Sequence, residues 1–161
     1  MEPVFPMPIP ALEFLTRLEI ESDKRLDLGA ASRGRRAIDF LVGGRFDGPK
    51  LKGRLIDGAD HQLQFDEGTV PEVRIGLKTH DGAVIAMSYT GIVWAPPAVM
   101  TRFRAREKVD PSEYYLHTLV RLECGAPAYE WLNRCVCIGV GQPAQFPSAN
   151  HGIWYDLYKV V

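Results

Sequence analysis

The stretch DGADHQLQFDEGTVPEVRIGLKTHDGAVIAMSY, residues 57–89, decides the fold. Acidic residues followed by glycine, Asp57-Gly58, Glu67-Gly68 and Asp81-Gly82, cut it into short β-like runs, the pattern of antiparallel hairpins. Successive side chains of a strand point to opposite faces, so Asp60, Gln62 and Gln64 share one face and His61, Leu63 and Phe65 the other. A tight turn at Asp81-Gly82 predicts Lys78 opposite Ile85 and Arg74 opposite Tyr89. A longer connection centred near residue 69 predicts Asp60 opposite Lys78 and Gln64 opposite Arg74. One face then carries Asp60, Gln62, Gln64, Arg74, Gly76, Lys78, Ile85, Met87 and Tyr89. The other carries His61, Leu63, Phe65, Val73, Ile75, Leu77, Thr79, Val84, Ala86 and Ser88. If the apolar face looks inward, this is an ordinary strand set with a wet exterior. If the mixed face looks inward, the protein encloses a site, because apolar and aromatic lining with a few placed polar groups is the composition of a ligand pocket.

Outward from this stretch the same grammar continues. The runs ALEFLTRLEIE (11–21), RAIDFLVGG, KLKGRLID, YYLHTLVRLEC, NRCVCIGVG and IWYDLYKVV are further strands, and Asp47-Gly48 is another turn. About nine strands and one short helix predict an all-β, antiparallel β-barrel. The helix is PAVMTRFRARE, residues 97–107, where Pro97 suits the first turn and Val99, Met100 and Phe103 share a face. Residues 1–10, with alternating prolines, form an extended arm, residues 11–161 a single domain, and GQPAQFPSANHG (141–152) a long connection.

The 161 residues carry 19 basic and 20 acidic side chains, a formal net charge of -1, so no whole-chain field draws the protein to nucleic acid or an anionic membrane. Three cysteines in a chain with ample core fit a reducing compartment, and no basic-apolar leader or membrane-length apolar run is present; the expected location is the cytoplasm.

In YYLHTLVRLEC, Tyr115, His117, Arg121 and Glu123 share one face and Leu116, Thr118, Val120 and Leu122 the other. The apolar face is the natural core; the polar one offers a proton donor, a titratable base and an anion clamp along one strand. Cys135 and Cys137 lack ligands at metal spacing and read as two small hydrophobes, with no metal expected. GVGQPA (139–144) has the letters of a dinucleotide fingerprint, but Pro143 and Pro147 forbid the helix that must follow, and no cofactor is expected. SRGRR (32–36) reads as a solvated turn, and neither a nucleophile elbow nor a phosphate-binding P-loop occurs.

The blocks LDLGAASRGRRAI, GGRFDGPKLKGRLIDGADHQ, LKTHDGAVI, YYLHTLVRLECGAPAYEWLNR and WYDLYKVV resemble, in order and spacing, the family known as domain of unknown function 3237, small bacterial and fungal proteins of the UPF0311 type. The likeness runs from about residue 11 to the C-terminus. It departs from the usual pattern at His61, where Trp is common, and at Leu116-His117, where Phe-Arg is common. The family is similar in fold to allene oxide cyclase and dirigent-type barrels. Some fungal members are implicated as cofactor-free cyclases that close oxygen heterocycles on aromatic polyketides. Carried over, the resemblance implies that Asp60, Gln62, Lys78, Tyr115, Arg121 and Trp131 occupy the lumen.

The expected function is a cofactor-independent cyclase or isomerase working by general acid/base chemistry on a small aromatic or polyketide-like molecule. Asp60 is the candidate base, and Lys78 and Tyr115 are the candidate donors. Gln62, Arg74, Met87, Tyr89, His117, Arg121 and Trp131 are the candidate substrate-binding residues. A non-catalytic small-molecule-binding barrel and an assembly protein with a vestigial pocket are the alternatives. With the mixed face inward, the outer apolar face needs cover, so a homo-oligomer is expected.

Overall fold

The computed structural model describes residues 4–145 and 151–161. Ten strands account for most of it: β1 (Leu12–Ala31), β2 (Gly34–Gly43), β3 (Arg45–Asp47), β4 (Lys52–Phe65), β5 (Gly68–Val70), β6 (Glu72–Thr79), β7 (Val84–Trp94), β8 (Tyr115–Cys124), β9 (Cys137–Gln145) and β10 (His151–Val160). One α-helix, α1 (Pro97–Arg104), and two 3₁₀ segments, Pro111–Glu113 and Pro127–Arg134, complete the chain. All strand pairs are antiparallel, and the ring β1–β2–β4–β6–β7–β8–β9–β10 closes where β10 pairs back onto β1, from Leu12 opposite Val160 to Ser22 opposite His151. Closure removes the free edges that an open sheet would expose. The protein is thus an antiparallel β-barrel, with β3 bridging β1 to β4 and β5 bridging β4 to β7.

Two expected registers shift. The Asp81-Gly82 turn is wider than a two-residue loop: the Thr79 and Ala83 backbones close it, Thr79 Oγ1 accepts from the Ala83 amide, and Gly82 takes φ +92°. Lys78 therefore pairs with Val84, not Ile85, and Leu77 pairs with Ile85. The preceding hairpin turns tightly at Asp66-Glu67, with Phe65 opposite Gly68, and not near residue 69, so Asp60 faces Val73 and not Lys78. A slip of one residue exchanges the faces of a strand. The lumen consequently combines Asp60, Gln62 and Gln64 of β4 with Val73, Ile75 and Leu77 of β6 and Ile85, Met87 and Tyr89 of β7, while Arg74 and Lys78 stand outside. On β8 the apolar face is the core, with Leu116, Val120 and Leu122 buried and Tyr115 and Arg121 exposed.

The end of the barrel around Leu55, Leu77, Ile85 and Leu122 is filled with side chains, each fully buried aliphatic contributing roughly 1.5–3 kcal/mol. Toward the other end lies α1, one turn shorter than expected. Pro97 opens it, Arg102 and Arg104 lie in its negative last turn, and the residues after it fold back by amide bonds from Ala105, Arg106 and Glu107 to the carbonyls of 101–103. Met100 is buried, and the Arg104 guanidinium donates to the carbonyls of Phe65, Asp66 and Gly68, which ties the helix to the β4–β5 turn. Phe103 packs edge-on against Tyr114, with centroids 5.2 Å apart. Residues 4–10 form neither strand nor helix and are exposed. GVGQPA lies within β9, and the rest of the expected 141–152 connection divides between β9, β10 and residues 146–150, which are outside the described residues. No described helix is long and apolar enough to cross a membrane.

Candidate functional site

Beside α1 the lumen is not filled. A cavity of about 510 Å³ opens there, lined by Ile20, Leu41, Val93, Met100, Phe103 and Ile153 as apolar wall and by Arg25, Asp39, Asp60, Gln62, Tyr89 and Tyr155 as polar wall. Arg35, Arg104 and Arg106 border it as well. Its size and mixed lining are those of a small-molecule site.

Asp60 is the centre of a fixed polar group. Only 9 % of it is exposed; its Oδ1 accepts from the Glu72 amide at 3.2 Å and its Oδ2 from Gln62 Nε2 at 2.9 Å. The same Gln62 nitrogen donates to Asp39 Oδ2 at 2.7 Å, so one amide bridges two carboxylates. Its oxygen accepts from Arg25 at 3.3 Å and from Gln64 at 3.4 Å, which fixes the orientation of the amide. Arg25 Nη1 lies 2.9 Å from both Asp39 oxygens, a charge-assisted pair. Burial is the main force on Asp60 and pushes its carboxyl up to about 6. The Gln62 and Glu72 hydrogen bonds hold it back, the Asp39 charge adds to the rise, and Arg25 opposes it.

Two phenols complete the site. Tyr89 and Tyr155 are both buried and meet edge to face with centroids 5.4 Å apart. Burial raises both hydroxyls above the ordinary phenol range, each acts on the other, and the Asp60 charge raises both further. They are neutral hydrogen-bond donors at any physiological pH. A carboxyl that titrates near neutrality beside two O–H donors is equipped to take a proton from one atom of a ligand while stabilising charge on another.

Of the residues expected from the sequence, Asp60, Gln62 and Tyr89 come together on the cavity wall, with Met87 buried in the lumen beneath them. Lys78 does not: it is exposed and faces Arg54 and Val84 across the sheet. Tyr115 also lies outside, 47 % exposed, its ring 4.2 Å from that of half-buried His117. Arg74 and Arg121 line an open outer groove, and Trp131, in the second 3₁₀ segment, lies between the ammonium groups of Lys50 and Lys159 at 5.9 and 5.8 Å. For Arg74 and Lys78 the cause is the register already described; on β8 the apolar face takes the core and turns Tyr115 and Arg121 outward, and Trp131 belongs to no strand.

Reasoning from the sequence misses Asp39, Arg25 and Tyr155. Tyr155 has a signal, since Ile153, Tyr155 and Leu157 alternate with Trp154, Asp156 and Tyr158 in the last strand. Asp39 and Arg25 have none, because their partnership with Gln62 needs β1, β2 and β4 side by side.

Comparison with known proteins gives a consistent outcome. The chain is 33% identical over 113 residues to a UPF0311 protein of Rhodopseudomonas palustris (strain TIE-1), covering 69% of this chain and 74% of that relative. Its structure is similar to a beta-barrel like protein of Acinetobacter baumannii AYE, with a TM-score of 0.83 and 28% identity over 98% of this chain and all (100%) of that one. It also shares its fold with a structure described as an enzyme from Penicillium herquei, at a TM-score of 0.69 and 19% identity over 99% of this chain and 100% of that one. The family model described as "Protein of unknown function (DUF3237)" matches residues 10–160, and the chain belongs to that family.

Proposed function

We propose that the lumen binds a small aromatic or polyketide-like molecule and that the protein acts on it as a cofactor-independent cyclase or isomerase. The observation that carries this is the Asp60 carboxyl, buried on a cavity wall, held in one orientation and brought near neutrality, with two neutral phenols beside it. Asp60 as carboxylate takes the proton of a ligand hydroxyl. The hydroxyl oxygen adds to the far carbon of a conjugated enone, and the displaced electron pair moves onto the carbonyl oxygen, where Tyr89 and Tyr155 donate hydrogen bonds. The enolate carbon then takes the proton back from Asp60. Nothing is oxidised or reduced, and the product is an isomer of the substrate. In this scheme Tyr89 and Tyr155 take the donor roles expected of Lys78 and Tyr115. That one protein of this fold is described as an enzyme supports a catalytic barrel over one that only binds.

A hydroxy-enone that closes to its cyclic isomer, 2′-hydroxychalcone, tests the proposal by absorbance. Wild-type protein is expected to accelerate closure, and Asp60→Asn to lose at least roughly a hundredfold of that acceleration while still binding the compound. Binding without acceleration, for this and related hydroxy-enones, would make the protein a small-molecule carrier instead. We also propose that it works as a homo-oligomer, on grounds of the exposed apolar surface on β7 and β8.

A further inference from the structure

Arg74 and Arg121, expected inside, stand on the outer face in a single row. Across three neighbouring strands Arg74 of β6 faces Ser88 of β7, and Ser88 faces Arg121 of β8. Two strand spacings put the arginine Cα atoms about 10 Å apart, close enough for both long side chains to converge over the serine. Arg17, Arg25, Arg35 and Arg45 each sit on a carboxylate. Arg74 and Arg121 have no hydrogen bond or ion pair among the described residues. Glu72, two residues before Arg74 on the same face, is taken by Arg36 at 3.2 Å and Arg33 at 3.6 Å. The row lies in an outer groove of about 820 Å³, whose walls include Leu119 and Val136. Two guanidinium groups without a carboxylate of their own, on either side of a hydroxyl, leave their donors free for an anion between them.

We propose that this groove is a second binding site, separate from the lumen, for a ligand bearing a phosphoryl dianion held between Arg74 and Arg121 over the Ser88 hydroxyl. The donor set favours phosphoryl over carboxylate. One guanidinium fork already satisfies the two oxygens of a carboxylate, whereas two forks and a hydroxyl match three terminal oxygens carrying close to two charges. Leu119 and Val136 offer an apolar track for an organic body attached to the phosphoryl group.

The test is a ¹H–¹⁵N NMR titration of the folded protein with phenyl phosphate, inorganic phosphate and phenol at constant ionic strength. Saturable shifts of the Arg74, Ser88 and Arg121 amides are expected with phenyl phosphate and not with phenol. Arg74→Gln and Arg121→Gln, both changes of exposed side chains, are expected to weaken binding by about tenfold or more each. Lys78→Gln, on the same face of β6 but outside the groove, is expected to leave it unchanged. Inorganic phosphate binding as tightly as the ester would support the site with free phosphate as its ligand; tighter binding of the ester would support an organophosphate lying along Leu119 and Val136. No saturable shift at the three amides, or equal weakening by Lys78→Gln, would overturn the proposal.

Discussion

At Asp60 the chemistry proposed for the lumen and the stability of the fold pull in opposite directions. A carboxyl whose ordinary value is 3.8 and whose folded value is about 6 holds, when folded, a proton that the unfolded chain releases between those pH values. Folding stability therefore falls as pH rises through that window and is level above it, at a cost of about 3 kcal/mol near pH 7. Asp60→Asn has no charge to desolvate, although an amide keeps less of the hydrogen bonding to Gln62 and the Glu72 amide. The variant is expected to be about 1–3 kcal/mol more stable than wild type at pH 7.5, with the difference gone by pH 4. Urea denaturation at the two pH values reads this directly, and a variant less stable at pH 7.5 would mean that Asp60 is a structural anion. Asp60 is legible in the sequence because a carboxylate alternating with two glutamines is odd company for a strand that also carries Leu63 and Phe65. Its supporting residues are not: Asp39 and Arg25 come from β2 and β1, and only the closed barrel brings them to Gln62.

The elements are positioned by features finer than hydrophobic alternation. The main strands, the single helix and the antiparallel class are readable from turn residues and periodicity, but Asp57-Gly58 lies inside the continuous β4 and makes no turn, the short β3 and β5 are not read, and neither are two registers. An Asp-Gly pair specifies a turn without specifying its length, and here the Thr79 hydroxyl and backbone close it around five residues. Pro71 makes the β4–β6 connection look long, whereas Glu67-Gly68 already ends a tight hairpin and Pro71 separates β5 from β6. A second fine feature lies in β9. Gly141 pairs with Tyr155, and a Cβ there would stand 2.5 Å from both the Tyr155 ring and Leu116 Cδ2. The glycine leaves the space that the Tyr155 ring fills on the cavity wall. Gly141→Ala is expected to cost about 1–3 kcal/mol by overpacking and to weaken lumen binding as Tyr155 is displaced. Gly43→Ala, at the end of β2 with nothing within 4 Å of its added carbon, is expected to stay within about 0.5 kcal/mol of wild type. Thermal unfolding of the pair, with ligand titration of each, separates a packing effect on Tyr155 from a general intolerance of alanine in this sheet.

For the whole molecule, closure of the barrel hides the lumen residues and leaves an outer surface that is apolar in one region. Ile92 and Trp94 of β7 and Tyr115 of β8 are 55 %, 47 % and 47 % exposed. The register sets Trp94 beside Tyr115 and Ile92 beside His117, with Val140 of β9 beyond His117, so they form one continuous patch and not scattered single residues. Within it the His117 Nδ1 is buried with no hydrogen-bond partner among the described residues. An apolar patch of this kind, enclosing an unsatisfied nitrogen, is what a second subunit covers, and a two-fold contact would bring the same strands of two copies together. This replaces the apolar face expected from the sequence, because Val73, Ile75 and Leu77 lie inside the barrel. The protein is expected to sediment and scatter light as an oligomer at micromolar concentration. Ile92→Asp, which places a charge beside His117 in the middle of the patch and outside the lumen, is expected to yield a monomer with unchanged circular dichroism. Wild-type protein that runs as a monomer, or an Ile92→Asp variant that keeps the full oligomer mass, would show that this patch faces solvent.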